Sequence, residues 1–238
     1  KDSLDVAFCI RNKMYSYSQL YDAVEQIWNV VKDLPEDLIG LYATDDIRTY
    51  ASIIALWCCG KTYIPLNPKQ PKERHIEVIK SVGSHFILSA DKKYNIDVES
   101  VNMVPTKEVL MDGYFRKESV IFSKVPESTL AYIIFTSGST GKPKGVPITR
   151  GNVAAFIDSM NHIGLDITKE DKCLQPFDLT FDFSVSSYVI PLAKGASIYT
   201  IPQKAIKFSY IAGLLEDYHL TVLQMVPSMV RNMLPYMD

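Results

Sequence analysis

The stretch Leu130-Ala131-Tyr132-Ile133-Ile134-Phe135-Thr136-Ser137-Gly138-Ser139-Thr140-Gly141-Lys142-Pro143-Lys144-Gly145 changes character halfway along. Ala131 to Phe135 are apolar or aromatic, show no helical spacing and run into a cluster of turn-forming residues, which predicts a buried strand. The second half supplies hydroxyls at Thr136, Ser137, Ser139 and Thr140, permissive backbone at Gly138, Gly141 and Gly145, and cations at Lys142 and Lys144. Glycines let successive N–H groups turn toward one anion, and hydroxyls and a lysine add donors and charge. A strand ending in such a loop is a place to hold a polyphosphate. A Ser/Thr/Gly/Pro/Lys segment is more often a solvated linker. Linkers, however, do not follow a hydrophobic strand and lead into a helix, which is the reading of Asn152 to Ile157. The pattern is not a Walker loop, because Gly138 and Gly141 are three apart and Pro143 follows Lys142.

Working outward, strand-like and helix-like segments alternate. Strands are expected at Ile39–Ala43, His85–Leu88, Cys173–Gln175, Ala196–Ile201 and Thr221–Val226. Helices are expected at Tyr50–Cys59, about 72–82, from Asn152, about 184–192 and about 208–218. Asp45 and Asp46 stand where they can cap the first of these helices. Gly60 closes it, and Tyr63-Ile64-Pro65-Leu66 follows as a strand. The alternation predicts an α/β protein of layered, largely parallel sheets covered by helices.

Composition narrows the function classes. The 238 residues are 47 % hydrophobic and 22 % charged, ordinary for a soluble globular protein, and the net charge of −2 leaves no electrostatic footprint for nucleic acid or an anionic membrane. The apolar run Ile53–Cys59 is too short to span a bilayer. Cys9, Cys58, Cys59 and Cys173 have no metal spacing, and the adjacent pair reads as small buried hydrophobes, which favours a reducing, cytoplasmic compartment. His75, His85, His162 and His219 are scattered and read as ordinary surface or boundary residues, so no metal ligands are assigned.

The string Thr136 to Gly145 resembles the phosphate loop of the AMP-forming, adenylate-forming enzymes: acyl-CoA synthetases, luciferases and the adenylation domains of nonribosomal peptide synthetases. Tyr15-Ser16-Tyr17-Ser18-Gln19-Leu20 and Leu56 to Pro68 are similar to two further segments of those domains. The resemblance implies that Thr136, Ser137, Gly138, Ser139, Thr140, Gly141, Lys142 and Lys144 hold the β- and γ-phosphates of ATP. It places Lys144 near the pyrophosphate, and Lys144 and Thr136 are the catalytic candidates. Arg150 stands where the family often has a histidine, so no histidine role is carried over.

A second site is Asp178-Leu179-Thr180-Phe181-Asp182-Phe183-Ser184-Val185. Aspartates in an apolar setting need donors or a cation. Capping of the following helix by Asp182 or Ser184 is one answer, and Asp178 reads as the cap of a turn. Phe181-Asp182-Phe183-Ser184 also resembles the "FDxS" motif of amino-acid adenylation domains and D-alanine–carrier protein ligases. There the aspartate pairs with the substrate's α-ammonium, which implies that role for Asp182, with Phe183 and Ser186 as pocket walls. An acid lacking the amine would then leave Asp182 buried and unpaired. Val226-Pro227-Ser228 resembles a later segment near the same pocket.

The resemblance implies attack of an amino-acid carboxylate on the α-phosphorus of ATP, aided by Mg²⁺. The acyl group then passes to the phosphopantetheine arm of a carrier protein, or to coenzyme A. Nothing downstream of Asp182 is similar to the family's "YGxTE" and "YRTGD" segments or its lid lysine. The chain is therefore expected to be an incomplete N-terminal domain, residues 1–238, inactive alone. Alternatives are an acyl-CoA synthetase for a simple carboxylic acid and a non-catalytic nucleotide-binding remnant.

Overall fold

The structure is a computed structural model, and it describes residues 3–107, 120, 124–137 and 143–237. It divides into two compact units, one built from residues 1–20 and 160–238, the other from 21–159. Each has its own sheet, as the strand–helix alternation requires.

In the first unit, β1 (Val6–Ile10) and β2 (Lys13–Ser16) form a hairpin. Arg11 and Asn12 turn it with φ of 52° and 60°, the left-handed pair that matches strand twist in a two-residue turn. β9 (Lys172–Gln175), β10 (Ser197–Thr200) and β11 (Val222–Leu223) complete the sheet in the order β11-β9-β10-β1-β2. All pairings but β1–β2 are parallel. α5 (Phe183–Lys194) packs on β9 and β10 and ends at Gly195, whose φ of 77° suits glycine. α6 (Lys207–Tyr218) and α7 (Pro227–Met233) close a core around Cys9, Leu174, Tyr199, Ile211, Leu214 and Met229.

The second unit carries a sheet of order β6-β5-β3-β4-β7-β8. Its strands are β3 (Leu38–Tyr42), β4 (Thr62–Leu66), β5 (Phe86–Ser89), β6 (Asn102–Pro105), β7 (Leu130–Ser137) and β8 (Pro143–Thr149). Every neighbour pair is parallel except β7–β8. α2 (Ile47–Cys58) is capped by Asp46, whose Oδ1 accepts from the Arg48 N–H at 3.0 Å, and packs on β3 and β4. α3 (Lys72–Ser81) contributes Val78 and Ile79 to a core shared with Ile64, Leu66, Ile87 and Ile133. α1 (Tyr17–Val31) and α4 (Arg150–His162) are the helices in which the chain passes from one unit to the other.

The layered α/β expectation stands, with local corrections. Thr136 to Gly145 does not lead straight into a helix: β8 intervenes, and α4 starts at Arg150. The strand expected over Thr221–Val226 shrinks to Val222–Leu223. Cys58 is buried as expected, but Cys59 is half-buried at the C-cap of α2. His75 is no boundary residue, being 1 % exposed. Its Nε2 donates to the Asn67 carbonyl at 2.8 Å, because a carbonyl can only accept, which leaves Nδ1 to accept from the Tyr94 hydroxyl at 2.6 Å. Burial lowers its pKa.

Candidate functional site

β7 and β8 flank the glycine-rich segment. Their register sets Ser137 opposite Pro143, Thr136 opposite Lys144 and Phe135 opposite Gly145. Cross-strand partners share a face, so Thr136 and Lys144, the two catalytic candidates, are brought together at one end of an antiparallel stem. Both are exposed, and the Thr136 hydroxyl donates weakly to the Lys144 carbonyl at 3.4 Å. Gly138, Ser139, Thr140, Gly141 and Lys142 lie outside the described residues, as does the side chain of Ser137.

The stem is rooted in the core. Ile133 is part of the apolar cluster of the second unit, with Leu130 and Phe135 packed against it. Trp57 Nε1 donates to the Ala131 carbonyl at 2.8 Å, and the Thr62 hydroxyl to the Leu130 carbonyl at 3.0 Å. Just after β8, Arg150 Nη2 reaches the Lys61 carbonyl at 3.2 Å, so the arginine ties the start of α4 to the segment after α2. Its Nε is buried without a hydrogen-bond partner among the described residues, and burial lowers its pKa.

The second candidate site belongs to the first unit. Beyond β9, Gln175 bridges its own loop: its side chain donates to the Phe177 carbonyl and accepts from the Phe177 N–H, both at 3.0 Å. Asp178 caps a turn as expected, accepting from the Thr180 N–H at 3.0 Å and the Thr180 hydroxyl at 2.8 Å. Asp182 is the N-cap of α5, and its Oδ1 accepts from the Phe183 N–H at 2.8 Å. It is exposed, not buried in the apolar setting that its neighbours suggested. The reason is that Phe181 and Phe183 are themselves exposed and turn toward Phe177: the Phe177 and Phe183 rings meet edge to face at 5.0 Å.

Ser186 lies one turn beyond Asp182, so the two share a helix face with Phe183 beside them. Ser186 is 4 % exposed, and its hydroxyl is 2.8 Å from the Phe183 carbonyl and 3.0 Å from Gln224 Oε1. Ser187 donates to the same Gln224 oxygen at 2.8 Å. Gln224 carries no role in the sequence reading. The available signal was a lone amide between Val222-Leu223 and Met225-Val226, a polar group that must find partners when half-buried.

Among the described residues no group of acidic, histidine and cysteine side chains is placed to hold a metal ion, and no helix is long and apolar enough to cross a membrane.

Two α/β units, each with a largely parallel sheet, have the fold of the N-terminal subdomain of adenylate-forming enzymes. Residues 3–238 match the AMP-binding enzyme family, and the chain belongs to it. It is 26 % identical over 227 residues to the nonribosomal peptide synthetase sidE of Aspergillus fumigatus, covering 92 % of this chain and 10 % of that protein. It is 28 % identical over 240 residues to zwittermicin A synthase ZmaJ of Bacillus cereus, covering 98 % of this chain and 45 % of that protein. The chain thus spans less than half the length of these curated relatives. The N-terminal subdomain of Klebsiella oxytoca NpsA has the same fold, with a TM-score of 0.84 at 21 % identity over 97 % of this chain and 59 % of that one.

Proposed function

We propose that this chain is the N-terminal part of the large domain of an amino-acid-activating adenylation enzyme. The observation that carries the reading is the segment Thr136 to Gly145 mounted on a core-rooted stem, with Thr136 opposite Lys144. In the reaction, an amino-acid carboxylate oxygen attacks the α-phosphorus of ATP. The bond to pyrophosphate breaks, and an acyl-adenylate forms. Both reactants are anions, so the site must offset their repulsion and hold the attacking oxygen in line. Lys144 supplies a fixed cation toward the departing pyrophosphate, and the loop hydroxyls and N–H groups supply donors. Asp182 keeps one carboxylate oxygen on the Phe183 N–H, leaving the other for the substrate's ammonium. Mg²⁺ is assigned to the nucleotide's own phosphate oxygens, since such an ion is commonly held by phosphates and water. The whole protein then passes the acyl group to a carrier-protein phosphopantetheine thiol, and this chain alone does not turn over.

The test is amino-acid-dependent ATP–pyrophosphate exchange by the full-length protein. Lys144→Ala is expected to lower kcat/KM for ATP by about tenfold or more, and amino acids to outperform their deaminated analogues. Parental exchange by the alanine variant would refute the role of Lys144, and robust exchange by residues 1–238 alone would refute their inactivity.

A second reading, activation of a simple carboxylic acid by an acyl-CoA synthetase, is favoured by the exposure of Asp182 and its use as a cap. Equal or better exchange with deaminated acids would select it.

A further inference from the structure

Gly213 lies in the middle of α6, where glycine is the poorest helix former apart from proline. Each of the other described glycines has a local reason to be glycine. Gly60, Gly83, Gly164 and Gly195 have positive φ, and a Cβ at Gly40, Gly145 or Gly151 would meet an atom at 3.3 Å or less. Gly213 has neither reason, and a Cβ built there meets nothing within 4 Å. This bare backbone belongs to a groove of about 380 Å³ in the first unit, lined by α6 and the β1–β2 turn. The Tyr210 hydroxyl donates to Asn12 Oδ1 at 3.0 Å and closes one side, while Leu214, 3 % exposed, is the floor. Ile206, Tyr210, Gly213 and Asp217 recur every three or four residues, so they line one face of the helix over about 16 Å. The two ends of the groove differ. Ile206 is 74 % exposed at one end. At the other, Asp217 is exposed and makes no hydrogen bond or ion pair with a described residue. Its carboxylate stands in the last turn of α6, at the negative end of the helix dipole and with no basic residue beside it in that turn, so it calls for a cation.

We propose that this groove docks a helix of a partner protein, which presents a lysine or arginine to Asp217 and an apolar side chain to Ile206 and comes closest at Gly213. The missing Cβ at Gly213 lets a second helix approach, because the distance between packed helices is set by the side chains at their contact. An extended segment would bring unpaired backbone N–H and C=O groups to a face with few partners for them, whereas a helix keeps its own backbone bonded. A lysine or arginine suits the acidic end, since its stem covers apolar surface while its head reaches the carboxylate. The proposal is independent of the adenylation reading, in which no residue of the groove has a role.

The experiment is fluorescence anisotropy of the full-length protein with two fluorescein-labelled, alanine-rich helical peptides of about 18 residues. One carries a leucine and an arginine about eleven positions apart, which a helix sets on one face. The other has glutamate in place of the arginine. The arginine peptide is expected to bind at least about tenfold tighter than the glutamate peptide. Asp217→Lys should reverse that preference, and Gly213→Leu, which fills the groove, should weaken the arginine peptide by about tenfold or more. The open space around Gly213 and the better helix propensity of leucine mean that Gly213→Leu should not lower the thermal midpoint followed by circular dichroism. A lowered midpoint would give the glycine a role in folding and overturn the proposal. So would the absence of binding, equal affinity for the two peptides, a preference that Asp217→Lys does not reverse, or binding that Gly213→Leu leaves intact.

Discussion

Replacing Gly145 by alanine adds one methyl group at the point where β8 crosses the Phe135 ring. Built on the backbone, that Cβ stands 3.0 Å from Ile133 Cγ2, 3.0 Å from Phe135 Cζ and 3.3 Å from Phe135 Cε1. These separations are inside ordinary carbon–carbon contact, so the strand or the ring must shift. Gly145 is not among the described glycines with positive φ, so the constraint is close approach rather than a left-handed backbone. Overpacking of this kind costs about 1–3 kcal/mol. Alanine also narrows the unfolded ensemble, which offsets about 0.4–1 kcal/mol. The net expectation is a loss of about 1–2 kcal/mol, or roughly 0.5–1 M in urea midpoint for an m-value of about 2 kcal/mol/M. Both tryptophans, Trp28 and Trp57, belong to the unit that contains β8, so their fluorescence in a urea titration reports the relevant transition. Phe135→Leu removes the ring atoms nearest the new methyl. In that background Gly145→Ala should therefore cost at least about 0.5 kcal/mol less, a coupling within the range of contacting residues. A Gly145→Ala protein as stable as the parent, or a cost that Phe135→Leu does not reduce, would refute the close-approach argument.

Two further stability predictions follow from buried polar groups. Lys61 is 5 % exposed, and its Nζ donates to the Leu34 and Glu36 carbonyls, each at 2.8 Å. Lys61→Met should cost about 2–3 kcal/mol through these charged hydrogen bonds, while Asp37→Ala should cost little, since that carboxylate is 3.9 Å from Nζ and 85 % exposed. The same urea titration checks both, and equal effects of the two variants would contradict the assignment. For His75, burial depresses the folded pKa below the ordinary 6.5. Above that value the ring is neutral in both states and its contribution is complete. As pH falls through 6.5 toward the folded pKa, the unfolded chain takes the proton first and stability declines. The parent should therefore lose more stability than His75→Gln over this window in urea midpoints measured against pH. Parallel profiles would show that His75 does not contribute.

The residues themselves determined the α/β class, the buried strand before the glycine-rich segment and the cap at Asp46, because these rest on local composition and spacing. β8 was hidden because Pro143, Gly145 and Pro147 disfavour a strand locally. It forms because it lies at the sheet edge, where only β7 must be paired and missing N–H groups face outward. That pairing, and not the order of residues, puts Lys144 opposite Thr136. Asp182 shows the converse. Its apolar neighbours suggested a buried carboxylate, but Phe177, Phe181 and Phe183 gather among themselves and leave it exposed at the head of α5. Ser186 and Ser187 are neighbours, but Gln224 lies 38 and 37 positions further along the chain from them. No local rule links them, since only the placement of α5 on β9, with β11 alongside that strand, brings the serine hydroxyls to one amide oxygen. The sequence by itself thus determined which hydroxyls, lysines and aspartates this protein carries and where they stand along the chain. The tertiary structure decided which of them meet, because hydrogen-bond register and packing act between residues far apart in the chain.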